Sequence, residues 1–293
     1  SSSVFYTSSA EAVCSNGEPA AFHVYRTGSD QWFVYLQGGG LASNAEEYLS
    51  RVPTWTTPRI QPGYLQDMPA VEDFLNKGYN VAVIPYCSND LYQGSHTHTI
   101  RGETVYFQGR AIVEDVIEQL APDLSSASRL VFGGSSAGAI GLGYNADLIA
   151  QFENPYLLVD SFWLDTESRA VRDSWSGPNW DAIEQFVYAN MPQHCGSQWA
   201  SCFPQRTHFD RYGFENVFFI WNMGDPYMRG DTNANRESIE SDLAYYGQGL
   251  SIQNGEALHP DYADWVHGML FNDFYDFPLD GGSLQERIWA WLN

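Results

Sequence analysis

The sequence has few basic side chains. It contains 14 Lys and Arg against 36 Asp and Glu, a formal net charge of −22, and Lys77 is its only lysine. Because such a surface repels phosphate backbones and anionic membranes, we expect no nucleic acid and no lipid surface as a partner. Two explanations of the charge remain open: the solubility of an ordinary secreted protein, and life in concentrated salt, where screening removes the self-repulsion.

Long apolar runs, linkers and internal repeats are also missing. No stretch approaches the ~20 apolar residues of a membrane-spanning helix, and the length supports a substantial buried core. We therefore expect a soluble monomer in which residues 1–293 form a single domain. Ser1 to Phe5 lack the basic start and apolar stretch of a signal peptide, as expected of a mature secreted chain or of a cytoplasmic one.

Cysteine is scarce, with four residues in the chain. Cys195 and Cys202 bracket a short polar loop of a length that a local disulfide closes well. Cys14 and Cys87 remain as a candidate long-range pair. Zinc is the competing use of cysteine, but the sequence has no Cys-x-x-Cys pair.

A nucleophile motif is present at Gly134 to Gly138, which reads Gly-Ser-Ser-Ala-Gly. In the Gly-x-Ser-x-Gly arrangement a strand ends in a strained turn and a helix begins at once, which exposes the central serine hydroxyl. Leu130 to Phe132 predicts the strand, and apolar residues at helical spacing follow Ala137. Ser136 is therefore a candidate nucleophile; the alternative interpretation is a Gly/Ser-rich turn without chemistry.

A run of three glycines lies nearer the start of the chain. Residues 21–26 and 32–37 predict two strands, and the turn formers at 27–30 favour a hairpin between them. The second strand runs into Gly38-Gly39-Gly40. Glycines directly after a buried strand leave backbone N–H groups accessible, as an oxyanion hole requires. A flexible surface loop is the alternative.

Helices and strands alternate through the remaining sequence. This order predicts an open, mostly parallel α/β sheet whose functional residues lie beyond the carboxyl ends of the strands. The predicted helices are 46–51, 69–76, one through 112–120, 137–151, 181–189, 236–246 and 285–292, and the predicted strands are 79–86, 129–132, 156–161 and 216–221.

An acid is expected after the nucleophile in such a sheet. Residues 217–221 predict a strand and Asp225 comes just beyond it, so we predict Asp225 as the acid. Asp231 is the competing acid, in a polar loop farther along. Asp160 and Asp165 also follow a strand, but one too early in the chain.

Two histidines lie beyond Asp225. His267 is followed by Gly268, which permits a tight loop, and its other neighbours are apolar enough to limit water. His259 precedes Pro260 in a predicted surface turn. We predict that His267 takes the proton of the serine while Asp225 fixes its tautomer; a histidine without a chemical role is the alternative.

Another pair of histidines, His96 and His98, has the i, i+2 spacing of metal ligands on a strand. Without a Cys or carboxylate ligand close by, we interpret them as part of a solvated loop. We predict neither a metal nor a cofactor.

Several segments together carry a family resemblance. They are Cys14 to Gly17, Tyr35 to Gly40, Pro85 to Asp90, Gly134 to Gly138, Asp160 to Asp165 and the loops of Asp225 and His267. By these segments, from Cys14 to His267, the chain resembles the pectin acetylesterase family of plant and bacterial pectin acetylesterases and Notum-like carboxylesterases.

The resemblance implies an α/β-hydrolase-like fold, with a mostly parallel central sheet and helices on both faces. It also implies a Cys14–Cys87 disulfide, a Ser-His-Asp triad and an oxyanion hole. The implied triad is Ser136, His267 and Asp225, and the implied oxyanion donors are the N–H groups of Gly39, Gly40 and Ala137.

Three positions depart from the family pattern. Gln37 stands where members usually carry Glu, and Leu41 and Ala42 stand where the plant enzymes have Trp and Cys. The local disulfide of that loop is therefore missing, and the acyl pocket cannot be copied from a relative.

The activity implied by the resemblance is that of a secreted serine carboxylesterase acting on short acyl esters. Acetyl esters of a polysaccharide are the leading substrate, with Tyr92, Trp163 and Trp175 as candidate sugar contacts. The charge of −22 fits neutral glycans better than polyanionic pectin. Lipid-like, protein-linked and polyester acyl groups are alternatives, as are an amidase with the same triad and an inactive binding module.

Overall fold

The computed structural model describes residues 2–42, 44–60, 68–163, 204–222, 225, 233–246, 249–252, 267–272, 274–279 and 281–293. Ten strands and eight α-helices lie in these ranges. The strands are β1 (Ser2–Tyr6), β2 (Ala21–Tyr25), β3 (Gln31–Leu36), β4 (Asn80–Ile84), β5 (His96–Ile100), β6 (Glu103–Phe107), β7 (Arg129–Ser135), β8 (Tyr156–Asp160), β9 (Val217–Asn222) and β10 (Gly249–Ile252). The helices are α1 (Ala45–Ser50), α2 (Pro69–Asn76), α3 (Gly109–Ser125), α4 (Ala137–Tyr144), α5 (Ala146–Ile149), α6 (Gln205–Arg211), α7 (Asn233–Tyr246) and α8 (Leu284–Leu292), with a 3₁₀ turn at Met269–Phe271.

Eight of these strands form one sheet in the order β1-β2-β4-β3-β7-β8-β9-β10. All neighbours from β4 to β10 pair in parallel, whereas β1 and β2 are antiparallel. The predicted mostly parallel α/β sheet is therefore confirmed. Parallel strands end at the same edge, so the residues that follow β3, β7, β8 and β9 come together there.

Side chains alternate between the two faces of the sheet, as strand geometry requires. On β4, Ala82 and Ile84 pack into one core cluster with residues of α3 and α4. Val81 and Val83 pack into a second cluster with residues of α2 and α8. Helices thus cover both faces, which is why residues 81–84 of this strand are all apolar.

The hairpin predicted between residues 21–26 and 32–37 is wrong, because β4 lies between β2 and β3. Asn80, at the start of β4, occupies the turn that joins them. Its amide oxygen accepts the N–H of Thr27 at 2.8 Å, and its amide nitrogen donates to the carbonyls of Ser29 and Gln31 at 2.7 and 3.1 Å. The turn formers therefore wrap around the end of another strand instead of closing a hairpin.

The loop predicted around His96 and His98 is also wrong, since both lie on β5, which pairs with β6. Their rings pack on Phe107 at 5.5 and 5.7 Å between centroids.

The predicted helix 137–151 is interrupted at Asn145, whose side-chain amide donates to the carbonyls of Tyr92 and Gly141, both at 2.9 Å. The strands β1 and β10 and the helix α6 were not predicted.

The Cys14–Cys87 disulfide is confirmed, with 5.0 Å between the Cα atoms. The predicted Cys195–Cys202 disulfide and helix 181–189 lie outside the described residues. Within the described ranges, no helix is long and apolar enough to cross a bilayer.

Candidate active site

Ser136 stands in a sharp turn between β7 and α4, with φ +55° and ψ −116°. This left-handed conformation is strained for a residue with a side chain. The flanking glycines permit it. A Cβ atom at Gly134 would lie 2.3 Å from the carbonyl oxygen of Gly138, and one at Gly138 would lie 2.1 Å from that of Leu36. Both motif glycines are therefore required by close backbone contacts at the strand-to-helix turn.

His267 links Ser136 to Asp225 through two short contacts. Its Nε2 atom lies 2.7 Å from the Ser136 Oγ, and its Nδ1 atom lies 2.6 Å from Asp225 Oδ2. Asp225 is fully buried, whereas the His267 side chain is 16% exposed. The three predicted residues therefore form one hydrogen-bonded row, with the acid inside the protein and the serine partly exposed.

The chain after His267 turns sharply at Gly268, where φ is +80°. A Cβ atom there would lie 2.1 Å from the ring of Phe271. Met269 and Leu270, the next two residues, are buried in the second core cluster. Glycine is thus needed to bring the histidine to the surface while the following residues enter the core.

The glycine loop lies directly beside the serine turn. A Cβ atom at Gly38 would be 2.4 Å from the carbonyl oxygen of Ser135 and 2.9 Å from the Cβ of Ser136. Gly39 and Gly40 have φ values of +154° and +77°, which favour glycine. The sheet register explains the proximity, since β3 pairs in parallel with β7 up to Leu36 and Gly134.

Two carbonyl groups of this loop accept hydrogen bonds from side chains. The Gly39 carbonyl accepts a hydrogen bond from the Arg51 guanidinium, and the Gly40 carbonyl accepts one from the Tyr86 hydroxyl at 2.7 Å. The guanidinium also lies over the Trp55 ring, 5.1 Å from its centroid. Ala137, the third predicted donor, is the first residue of α4, and the first N–H groups of a helix have no partner within it.

Two predicted substrate contacts lie in the interior. Tyr92 is 1% exposed and its hydroxyl donates to the carbonyls of Gln37 and Ile84. Trp163 is 2% exposed and its ring N–H donates to Asp242 at 2.9 Å. Burial of both rings leaves no face for stacking on a sugar, so we do not include them in the site. Trp175 lies outside the described residues.

Asp160, a competing acid by sequence, is buried at the end of β8 and contacts the histidine loop rather than the imidazole. Its carboxylate accepts the N–H groups of Met269 and Leu270, both at 3.0 Å. Burial raises the pKa of this carboxyl, opposed by hydrogen bonds from Ser135 and Leu270. Sequence reasoning missed this contact, although an Asp ending a wholly apolar strand was a visible signal.

Three more residues compete by sequence for the acid and base of the triad. They are Asp165, Asp231 and His259, and all three lie outside the described residues.

Within the described ranges, no group of three or more His, Cys, Asp or Glu side chains is placed to hold a metal ion. The described residues of the site offer a hydroxyl, an imidazole, a carboxylate and backbone N–H groups.

Comparisons with known proteins place the chain in a family. The family model described as Pectinacetylesterase matches residues 3–217. Human palmitoleoyl-protein carboxylesterase Notum is 32% identical over 150 residues, which are 47% of this chain and 30% of that protein. The mouse protein of the same name is 31% identical over 173 residues, covering 55% and 33%. The matched segments therefore span about a third of the length of these relatives.

A solved structure is similar over nearly the whole chain. The structure titled Wnt deacylase Notum from Drosophila superposes with a TM-score of 0.69, covering 98% of this chain and 91% of that one. The sequences are 21% identical, so the likeness shows the shared α/β-hydrolase-like fold.

Proposed function

Because the chain belongs to the pectinacetylesterase family, we propose that it forms a single-domain serine carboxylesterase that hydrolyses short acyl esters. One observation carries the proposal. The Ser136 hydroxyl, the His267 imidazole and the buried Asp225 carboxylate stand in a row, with contacts of 2.7 and 2.6 Å, at a Gly-x-Ser-x-Gly turn. A nucleophile, a base and a group that orients the base are what acyl transfer through a serine requires.

In the first half of the reaction, Nε2 of His267 takes the proton of the Ser136 hydroxyl while Oγ attacks the ester carbonyl. The negative charge that develops on the carbonyl oxygen is stabilised by the N–H groups of Gly39, Gly40 and Ala137. The alcohol then leaves with the proton from Nε2, and the acyl group remains on the serine.

In the second half, His267 takes a proton from water and the resulting hydroxide attacks the acyl-enzyme. The carboxylic acid leaves and Ser136 recovers its proton from Nε2. Throughout, the Asp225 carboxylate accepts a hydrogen bond from the Nδ1–H group of His267, which fixes the tautomer and stabilises the imidazolium.

Acetyl esters of a neutral polysaccharide are the proposed substrate. The family description points to acetylated glycans, and the net charge of −22 disfavours a polyanionic one. Positive charge lies near the site, so acidic glycans are tested as well. Arg51 and Arg59 lie 5.1 and 4.6 Å over the ring of Trp55, which contacts Gly39. Acetate release from neutral and acidic acetylated glycans, at low and high salt, separates the two.

The esterase proposal is tested with p-nitrophenyl acetate. Wild type is compared with Ser136→Ala, which removes only the hydroxyl oxygen. We expect rapid hydrolysis by wild type and loss of nearly all of it in the variant. Equal rates would leave a binding module on the same fold as the better explanation, and cleavage of the matching anilide as fast as the ester would favour an amidase.

A longer acyl chain is the second candidate. Its support is the similarity to the human and mouse Notum proteins, which are palmitoleoyl-protein carboxylesterases. Rates on p-nitrophenyl esters from acetyl to palmitoyl decide between the two. A maximum kcat/KM at acetyl supports the short-chain proposal, and a maximum at long chains replaces it.

Export from the cell is proposed on the Cys14–Cys87 disulfide, because such bonds persist in oxidising compartments. Fractionation of the native source tests it. We expect the protein in the medium with its disulfide intact, whereas a reduced protein found only in the cell lysate would contradict export.

A further inference from the structure

Asp160 is a buried carboxylate that the proposed reaction does not use. It is 0% exposed, and each of its oxygens accepts two hydrogen bonds. Oδ1 accepts the Ser161 hydroxyl at 2.7 Å and the Met269 N–H at 3.0 Å, while Oδ2 accepts the Ser135 hydroxyl at 2.6 Å and the Leu270 N–H at 3.0 Å. A carboxylate has about four acceptor sites, and all of them are occupied.

These donors lie on both sides of the contact between the serine and the histidine. Ser135 immediately precedes Ser136, and Met269 follows His267 by two residues. The backbone carbonyl of Asp160 also accepts the N–H of Ser136 at 2.9 Å. One residue is therefore bonded to both of the segments that must bring Nε2 and Oγ to 2.7 Å.

The serine side of this network is fixed to the centre of the sheet. The Tyr35 hydroxyl, on β3, donates to Ser135 Oγ at 2.7 Å, and Ser135 in turn donates to Asp160. Tyr35 is 1% exposed. Three adjacent strands, β3, β7 and β8, thus hold the carboxylate in place.

The histidine side depends on the same carboxylate. The 3₁₀ turn after His267 is three residues long, Met269–Phe271, and the first N–H groups of such a turn have no partner within it. Asp160 supplies the acceptor for the first two. Its two bonds set the height of this turn above the sheet, and with it the position of His267 two residues earlier.

We infer that Asp160 is a positioning residue for the proposed esterase reaction, holding the His267 loop against the Ser136 turn so that the imidazole stays within reach of the hydroxyl. It does not touch the reacting atoms. The kinetic test of this inference rests on the proposed function, whereas the NMR test rests on the geometry alone.

The test substitution is Asp160→Asn. An amide keeps the shape but replaces one oxygen with NH₂, which cannot accept a hydrogen bond. Because each carboxylate oxygen binds one of the two loop N–H groups, either orientation of the amide leaves Met269 or Leu270 without its acceptor. The loop must then move.

Asp115→Asn is the matched control. Asp115 is 5% exposed on α3 and likewise accepts two consecutive backbone N–H groups, those of Ser8 and Ser9 at 3.0 Å, together with the Ser8 hydroxyl at 3.2 Å and the Gln119 amide at 2.8 Å. Asp115→Asn therefore disrupts a comparable hydrogen-bond network, but one that does not touch the His267 loop.

Two measurements are made on the full chain: kcat and KM on p-nitrophenyl acetate, and the proton NMR resonance of His267 Nδ1–H, assigned with His267→Gln. For Asp160→Asn we expect kcat to fall roughly 100-fold, as for a displaced catalytic group, with KM unchanged and the resonance lost or shifted. Asp115→Asn should keep both. Wild-type kcat and resonance in Asp160→Asn, or equal losses in the two variants, would overturn the inference.

A milder variant covers the case in which Asp160→Asn does not fold. Ser135→Ala removes one of the four donors, and we expect kcat to fall roughly tenfold, the effect of one weakened contact; unchanged kcat would overturn the inference. If wild type and Ser136→Ala hydrolyse the ester equally, the proposed function has failed. The NMR resonance then still decides the role of Asp160.

Discussion

Ser136 adopts a backbone conformation that residues other than glycine rarely adopt, and its neighbours make this conformation possible. The glycines on either side lie within contact distance of backbone atoms, where no Cβ fits. The N–H of Ser136 is held by the Asp160 carbonyl at 2.9 Å. Strain at one residue is thus balanced by contacts of the surrounding backbone.

Asp225→Asn is expected to lower kcat by roughly 10³ to 10⁴, because an amide no longer holds the Nδ1 proton of His267 and the wrong tautomer faces the serine. KM should be unchanged. Steady-state kinetics on p-nitrophenyl acetate measures both. Asp73→Asn is the control, since that buried carboxylate accepts from Tyr275 and Trp289 at the C-terminal helix. A similar kcat loss in both variants would contradict the assignment of Asp225.

Gly38→Ala is expected to lower kcat without unfolding the protein. Its added methyl would lie 2.4 Å from the Ser135 carbonyl oxygen and 2.9 Å from the Ser136 Cβ, so the glycine loop or the serine must shift. We expect a loss of roughly 100-fold. In the control Gly28→Ala the methyl meets nothing within 4 Å, and stability but not kcat should fall. Normal kcat in Gly38→Ala would argue against a role for the loop.

At the level of elements, loops are fixed by buried polar groups more than by their own turn signals. Asn80 occupies the turn between β2 and β3, and Asp90 fills the same role after β4. The Asp90 carboxylate accepts the N–H groups of Tyr92, Gly94 and Gly109 at 3.1, 2.9 and 2.9 Å. It therefore ties the loop that follows β4 to the start of α3.

Asp90 makes stability depend on pH. Burial raises its pKa from 3.8 to about 6, opposed by the nearby Ser88 hydroxyl and by hydrogen bonds from three backbone N–H groups. Because the folded state then binds a proton that the unfolded state has lost, this contribution is complete below pH 3.8 and disappears as the pH rises through about 6. Between pH 4 and 7, wild type should lose about 2 kcal/mol relative to Asp90→Asn.

Urea unfolding of both proteins at constant ionic strength measures this difference. Titration of the Asp90 carboxyl carbon by NMR in the folded wild type checks the pKa directly. Parallel stability curves for wild type and Asp90→Asn, or a carboxyl that titrates near 4, would contradict the prediction.

For the whole molecule, the dominant property is its negative charge. At a net charge of −22, the folded chain repels itself over the Debye length, which falls from ~30 Å at 0.01 M salt to ~8 Å at 0.15 M. Self-repulsion destabilises the compact state. Added salt should therefore increase the stability of the folded chain, because it screens this long-range repulsion and not because it acts on one ion pair.

The melting temperature is expected to rise as NaCl increases from 0.01 M to 0.5 M, most steeply at the low end where the Debye length changes most. Differential scanning calorimetry measures it. An uncharged osmolyte at equal osmolality serves as the control and should not reproduce the steep initial rise. A melting temperature independent of salt below 0.15 M would mean that self-repulsion is negligible.

Much of the fold and of the candidate site is predictable from local sequence. Strand, tight turn and helix around Ser136 follow from neighbouring residues, and the predicted helix 69–76 has the same bounds in the structure. The parallel sheet follows from the alternation of elements. The family resemblance, now confirmed, follows from short segments of contiguous sequence.

What local sequence leaves open are choices between distant parts of the chain. Asp160 and Asp225 both come at the end of apolar strands. Residues 27–30 do form a turn, but the two strands that they connect do not pair with each other. His267 reaches partners 131 and 42 residues away. Turn and strand propensities act between near neighbours, whereas strand order decides which strand ends are adjacent. The sequence by itself therefore determined the strand, turn and helix around Ser136, and the tertiary structure decided which carboxylate contacts the His267 imidazole and which one accepts the N–H groups of the residues after it.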